Sequence, residues 1–152
     1  MSSPGSVPFS TTLFVRDHCL CLHVQRAARA LARLFDEALR PVGLTNGQFS
    51  LLMALNRPAP PTLGSVASLL AMDRTTLTAS LKTLQRRGLV AVATAPGDRR
   101  SRLLSLTADG AALLARAVPI WESTHATLEG AIPHAGRVRL DLQALTGAAD
   151  AQ

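Results

Sequence analysis

Seven cationic side chains crowd into thirty residues of this chain: Arg74, Lys82, Arg86, Arg87, Arg99, Arg100 and Arg102. Only Asp73 and Asp98 oppose them between positions 73 and 102, so seven positives less two negatives place +5 of the formal +6 there. The other nine positives and eight negatives nearly cancel. Guanidinium and ammonium groups at this density suit a polyanion, nucleic-acid phosphates above all. Thr75, Thr76 and Thr78 stand among them, short polar groups able to reach phosphate oxygens or base edges.

The elements that must carry these groups follow from periodicity. Leu77, Leu81 and Leu84 recur at i, i+4, i+7, the stripe of a half-buried helix, and Thr75, Ala79, Lys82 and Arg86 fall on its other side. Asp73 is a cap for its start and Gly88 for its end. Leu89–Ala93 and Leu103–Leu106 are strand-like and joined through the turn residues Ala95 to Asp98. Thr62 caps a preceding helix with Val66, Leu69 and Leu70 predicted to face inward, and Thr45 caps another containing Phe49, Leu52, Met53 and Leu55. The segment from Pro58 to Pro61 can only connect them. Two short helices followed by a basic hairpin form a winged helix-turn-helix over residues 45–107, in a mainly α fold with a two-stranded wing.

Helical patterns flank this head. Residues 16 to 40 read as one long helix without Gly or Pro, and Thr107 caps another that Pro119 is expected to kink or interrupt. A last helix follows Pro133. The segments 16–44 and 108–152 exceed what a DNA-binding head needs and suit an N- and C-terminal dimerisation region. At 152 residues with 47% apolar and 17% charged side chains, the chain reads as one compact globular domain. It has no apolar run long enough to span a membrane. Residues 1–15 are expected to form a flexible tail; they lack the pattern of a secretory signal, which predicts a cytoplasmic protein with its two cysteines as thiols. No Gly-rich phosphate loop or nucleophile motif points to an enzyme, and no cofactor or metal is expected.

The stretches GLTNGQFSLLMAL, MDRTTLTASLKTLQRRGLV and PGDRRSRLLSLTADGAALL resemble the MarR family of bacterial transcriptional regulators, with the likeness running from about Asp17 to Glu129. The Asp-Arg-Arg turn before Leu-Ser-Leu-Thr-x-x-Gly is its most specific part. The resemblance implies a symmetric dimer on a pseudo-palindromic operator, acting as a repressor released by a small aromatic or oxidant effector. It assigns DNA contacts to Arg74, Thr75, Thr76, Thr78 and Lys82 on the recognition helix, and the family's Asp-x-Arg falls on Asp98 and Arg100 in the wing. Arg86, Arg99 and Arg102 complete the candidate surface. Asp98 should hold the wing loop while Arg100 enters a minor groove. Ala79 stands where relatives often carry a long polar residue, which either costs a base contact or places a methyl against thymine.

Cys19 and Cys21 are candidate sensors. At i, i+2 they point to nearly opposite sides of an intact helix and cannot pair there. Leu20-Cys21 lines up with the reactive cysteine of the organic-hydroperoxide-sensing branch of the family, whose tyrosines hydrogen-bond the thiolate. This chain has no tyrosine, and Phe35 and Asn46 occupy the matching places. Inert packing, thiol sensing and a metal held by His18–Cys21 or Cys19–His23 all remain open, although no four-ligand pattern is present. By the same resemblance, Phe35, Phe49, Met53, Trp121 and His125 could wall an effector cleft or simply pack the core. An architectural DNA binder or a helical interaction protein without a regulatory ligand is the alternative reading.

Overall fold

The computed structural model describes residues 5–152. Seven helices and one hairpin follow in the order α1 (Phe9–His18), α2 (Leu20–Leu39), α3 (Asn46–Leu55), α4 (Leu63–Leu70), α5 (Arg74–Arg86), β1 (Val90–Ala95), β2 (Asp98–Leu106), α6 (Ala108–Ala131) and α7 (Ala135–Asp150), with a single 3₁₀ turn at Arg40–Val42. The expected caps are all formed. Thr45 and Gln48 make a reciprocal capping box, and the side chains of Thr62, Asp73 and Thr107 accept the N–H groups of Ser65, Thr76 and Gly110. Each satisfies a backbone donor that the first helical turn leaves unpaired.

The core lies between α3, α4, α5, the wing base and the first half of α6. Leu39, Leu51, Leu52, Val66, Leu77, Leu84 and Leu104 are fully enclosed there, with Leu113, Leu114 and Ala117 behind them. The stripe of Leu77, Leu81 and Leu84 is thus the buried side of α5. Two backbone ties lock the wing to this core. The Leu104 N–H donates to Pro61 O at 2.9 Å, so β2 also pairs with the proline connector. On the other side, Thr107 donates its N–H to Leu89 O at 3.1 Å and its hydroxyl to Gly88 O at 2.7 Å. Gly110 makes this joint possible, because a Cβ there would stand 2.0 Å from Leu89 O.

Several expectations need correction. The long helix of residues 16–40 is two helices. Cys19 is extended at φ −72°, ψ 108°, and its sulfur accepts the Leu22 N–H at 3.4 Å, so α2 starts afresh there. The expected tail of residues 1–15 carries α1 from Phe9 onward, while residues 1–4 lie outside the described part. Pro119 sits inside α6 without ending it. Leu69, expected inward, is 57% exposed: α4 rests on Val66 and Ala67, and Leu69 borders an open hollow between α3, α4 and α6. Among the described residues no helix is long and apolar enough to cross a membrane.

Candidate nucleic-acid interface

The exposed side of α5 is built from its own backbone outward. Asp73 accepts the Thr76 N–H at 2.8 Å and the Thr76 hydroxyl at 2.6 Å, and these two donors hold its carboxyl below the usual carboxylate range. The Thr78 hydroxyl donates to Arg74 O at 2.7 Å, and the Thr83 hydroxyl reaches Ala79 O at 3.4 Å. Arg74, Thr75, Thr78, Ala79 and Lys82 are exposed and together line a shallow, mainly apolar hollow of about 390 Å³. Arg86 lies a turn further along, near Thr83 Oγ1 at 3.4 Å. Arg87, counted in the basic run, turns back instead toward Gln48 Oε1 on α3 at 3.5 Å.

The wing closes through Pro96-Gly97, with Gly97 at φ +79°, a conformation costly for residues with a side chain. Because the turn is that tight, Arg99, Arg100 and Arg102 belong to β2 and not to the turn itself. Thr94 pairs with Arg102 and Ala95 with Asp98, leaving Arg99, Arg100 and Ser101 without partners on β1. The looped-out stretch is held from within: Asp98 Oδ1 accepts the Arg100 N–H at 2.9 Å, and Arg102 Nη1 donates to Arg99 O at 2.9 Å. Arg100 therefore projects from a braced backbone.

Helix and wing converge. A polar cleft of about 310 Å³ lies between them, lined by Thr62, Gly64, Arg74, Asp98, Arg100 and Arg102. Gly64 lets the Arg74 guanidinium lie close, since a Cβ there would come to 3.1 Å from Nη2. Thr62 and Gly64 were not among the expected site residues; only the Thr62 cap, which puts the start of α4 beside the cations, could have signalled them.

Away from this surface, Phe49, Met53, Leu69, Leu70, Val118 and Trp121 line an apolar cavity of about 510 Å³ between α3, α4 and α6. Phe49 stacks on Trp121 at 6.1 Å between ring centroids and Trp121 on His125 at 4.6 Å, with Phe35 a further 6.5 Å beyond His125. Three of the five expected cleft residues thus line the cavity, while Phe35 and His125 extend the ring row past it. Cys21 is exposed and its sulfur accepts from Gln25 Nε2 at 3.1 Å. Asn46 donates both its backbone N–H and its side-chain amide to Asp36, at 2.7 and 2.8 Å, and so serves the α2–α3 junction. Among the described residues no group of three or more His, Cys, Asp or Glu is placed to hold a metal.

Comparison with known proteins agrees with this layout. The family model described as "MarR family" matches residues 42–101. The organic hydroperoxide resistance transcriptional regulator of Bacillus subtilis is 32% identical over 101 residues, covering 66% of this chain and 69% of that protein. The chain belongs to the MarR family. Among solved MarR-type structures, the Mycobacterium tuberculosis transcriptional regulator MosR in complex with DNA superposes with a TM-score of 0.83 at 40% identity, covering 88% of this chain and 98% of that one. Bordetella bronchiseptica BpsR, whose DNA binding is regulated by 6-hydroxynicotinic acid, gives a TM-score of 0.74 at 30% identity, covering 97% of this chain and 100% of that one. The MarR match spans the stretch in which α5 and the first part of the wing were recognisable from residue types alone.

Proposed function

We propose that this protein is a homodimeric transcriptional repressor that grips double-stranded operator DNA with α5 and the wing and releases it when an effector reaches the helical base. The observation that carries this reading is the convergence of Arg74 from the helix with Arg100 and Arg102 from the wing around one cleft. Separate elements thus bring three guanidinium groups against one carboxylate, Asp98, and the excess positive charge suits a polyanion. In this reading Arg74, Thr75, Thr78 and Lys82 meet the major groove, with Arg86 at the backbone. Thr76 and Asp98 hold helix and wing in place. Arg100 enters the minor groove, where narrow A·T-rich DNA concentrates negative potential, and Arg99 and Arg102 flank it at the phosphates.

Residues 16–44 and 108–152 form the dimer base. Leu20, Leu31, Leu34, Val138, Leu140 and Leu142 are exposed in the single chain and offer the apolar surface such a base requires. A two-fold dimer sets the recognition helices in successive major grooves about 34–36 Å apart. The protein works in the cytoplasm, beside the genome. Footprinting on sites enriched from random duplexes tests the reading: a bounded, roughly two-fold protected site supports it. Uniform, salt-sensitive coating supports an architectural binder instead.

The effector is a small aromatic acid or phenol seated in the cavity of Phe49, Met53 and Trp121, as the ligand-regulated relative BpsR suggests. The exposure of Cys21 and its contact with Gln25 favour a second reading, in which an oxidant acts on the thiol. Operator release by an organic hydroperoxide, lost in Cys21→Ser and kept in Cys19→Ser, would select it.

A further inference from the structure

The polar reading of α5 changes once its hydroxyls are followed to their partners. Thr76 gives its proton to Asp73, Thr78 to the Arg74 carbonyl and Thr83 to the Ala79 carbonyl. With its hydroxyl bonded back to the Arg74 carbonyl, Thr78 has its Cγ2 methyl as the side-chain group left uncommitted. The centre of the exposed face is therefore methyl-lined. Thr75, Thr78 and Ala79 line the hollow of about 390 Å³ together with Arg74 and Lys82, and its surface is mainly apolar. The two cations suit phosphate or guanine, whereas the surface they share with Thr75, Thr78 and Ala79 is mainly carbon.

In the major groove the one apolar group presented by the base pairs is the C5-methyl of thymine. We infer that this hollow, with the Thr78 methyl and Ala79 at its centre, is a receptor for that methyl and makes a thymine the specificity-determining base of each half-site. The inference rests on the DNA-binding reading of α5 and adds to it which base feature is read. Ala79 is then the means of access: a longer side chain there would cover the apolar surface. The committed Thr78 hydroxyl leaves the methyl as the group free to meet the base.

The experiment uses the full-length protein and a duplex enriched from a random library by that same protein. Each thymine is replaced in turn by uracil, which keeps every hydrogen-bonding edge and removes only the methyl. Affinity is read by fluorescence anisotropy at fixed salt. The result expected is one thymine per half-site whose replacement weakens binding about fourfold, and about sixteenfold when both half-sites are changed, from the transfer value of a buried methyl group and additivity of separated positions. Thr78→Ser keeps the hydroxyl and loses the methyl, so it should narrow the difference between the thymine and uracil duplexes to what Ala79 alone supplies. Thr78→Val keeps the methyl and should retain the difference. Discrimination kept by Thr78→Ser and lost by Thr78→Val would show that the hydroxyl reads the base, and would overturn the proposal. So would indifference of the wild type to uracil at every position. A library with no enriched sequence would overturn the DNA-recognition reading itself, and the proposal with it.

Discussion

Gly110→Ala tests the joint between the wing and α6 most directly. The added Cβ would stand 2.0 Å from Leu89 O. A carbon against a carbonyl oxygen normally rests at about 3.3 Å or more, so the helix must retreat from the strand by roughly 1 Å. That retreat opens the bonds Thr107 makes to Leu89 O and Gly88 O. Losing two hydrogen bonds costs about 2 kcal/mol, and overpacking adds about 1–3. The better helix propensity of Ala returns about 1 kcal/mol, leaving a net loss of about 2–4. With a urea dependence of about 2 kcal/mol per molar, the midpoint should fall by roughly 1–2 M. Far-UV circular dichroism at constant protein concentration reads it, since dimerisation makes stability concentration-dependent. Gly130→Ala is the control: it lies in the same helix with nothing within 4 Å of its Cβ, and should hold or raise the midpoint. A Gly110→Ala protein as stable as the wild type would refute the close-approach argument.

Arg100→Ala should weaken operator binding and reduce the slope of log affinity against log salt by about 0.9 per wing, measured by anisotropy from low to moderate salt; an unchanged slope would remove Arg100 from the phosphates and the groove. Leu140→Glu, at a position 61% exposed in the single chain, should leave helicity intact and shift sedimentation toward monomer. The Asp36 carboxyl is held below its usual range by the Asn46 backbone N–H and amide, so its contribution to stability is complete above the unfolded value of about 3.9 and is lost as pH falls through the lower folded value. Asp36→Asn should therefore be less stable near neutrality yet lose less on acidification below about pH 5, as read by denaturation midpoints at several pH values. A small aromatic acid bound beside Trp121 should change the emission of this single tryptophan, and Met53→Trp should block that binding by filling the cavity.

The parts of the fold that could be read in advance are those governed by neighbours in the chain. Thr45, Thr62, Asp73 and Thr107 each bond a backbone N–H within three residues, and Leu77, Leu81 and Leu84 lie along one helix face. The break at Cys19 escaped because it involves neither Gly nor Pro; a sulfur takes the capping role in an otherwise continuous pattern. The exposure of Leu69 escaped because periodicity reports which residues are apolar, whereas the hollow it shares with Met53 and Trp121 leaves it without a covering partner. On the candidate surface the residue types were visible, but their chemistry was not. Thr76 and Thr78 look alike as polar groups until their protons are found on Asp73 and the Arg74 carbonyl. The approach of Gly64 to Arg74 and of Gly110 to Leu89 joins distant segments, and nothing in local composition announces it.

The bond from the Leu104 N–H to Pro61 O has a bearing on how the head assembles. The helix caps act within one turn, but this bond joins residues forty-three positions apart. Bringing such distant segments together costs chain entropy before any packing compensates, so local helices can form early while closure of the wing base comes late. Substitutions that weaken the caps should then slow folding, and those that loosen the strap at Pro61 should chiefly hasten unfolding. The piece of the protein that carries Arg100 would be the last to take shape and the first to let go.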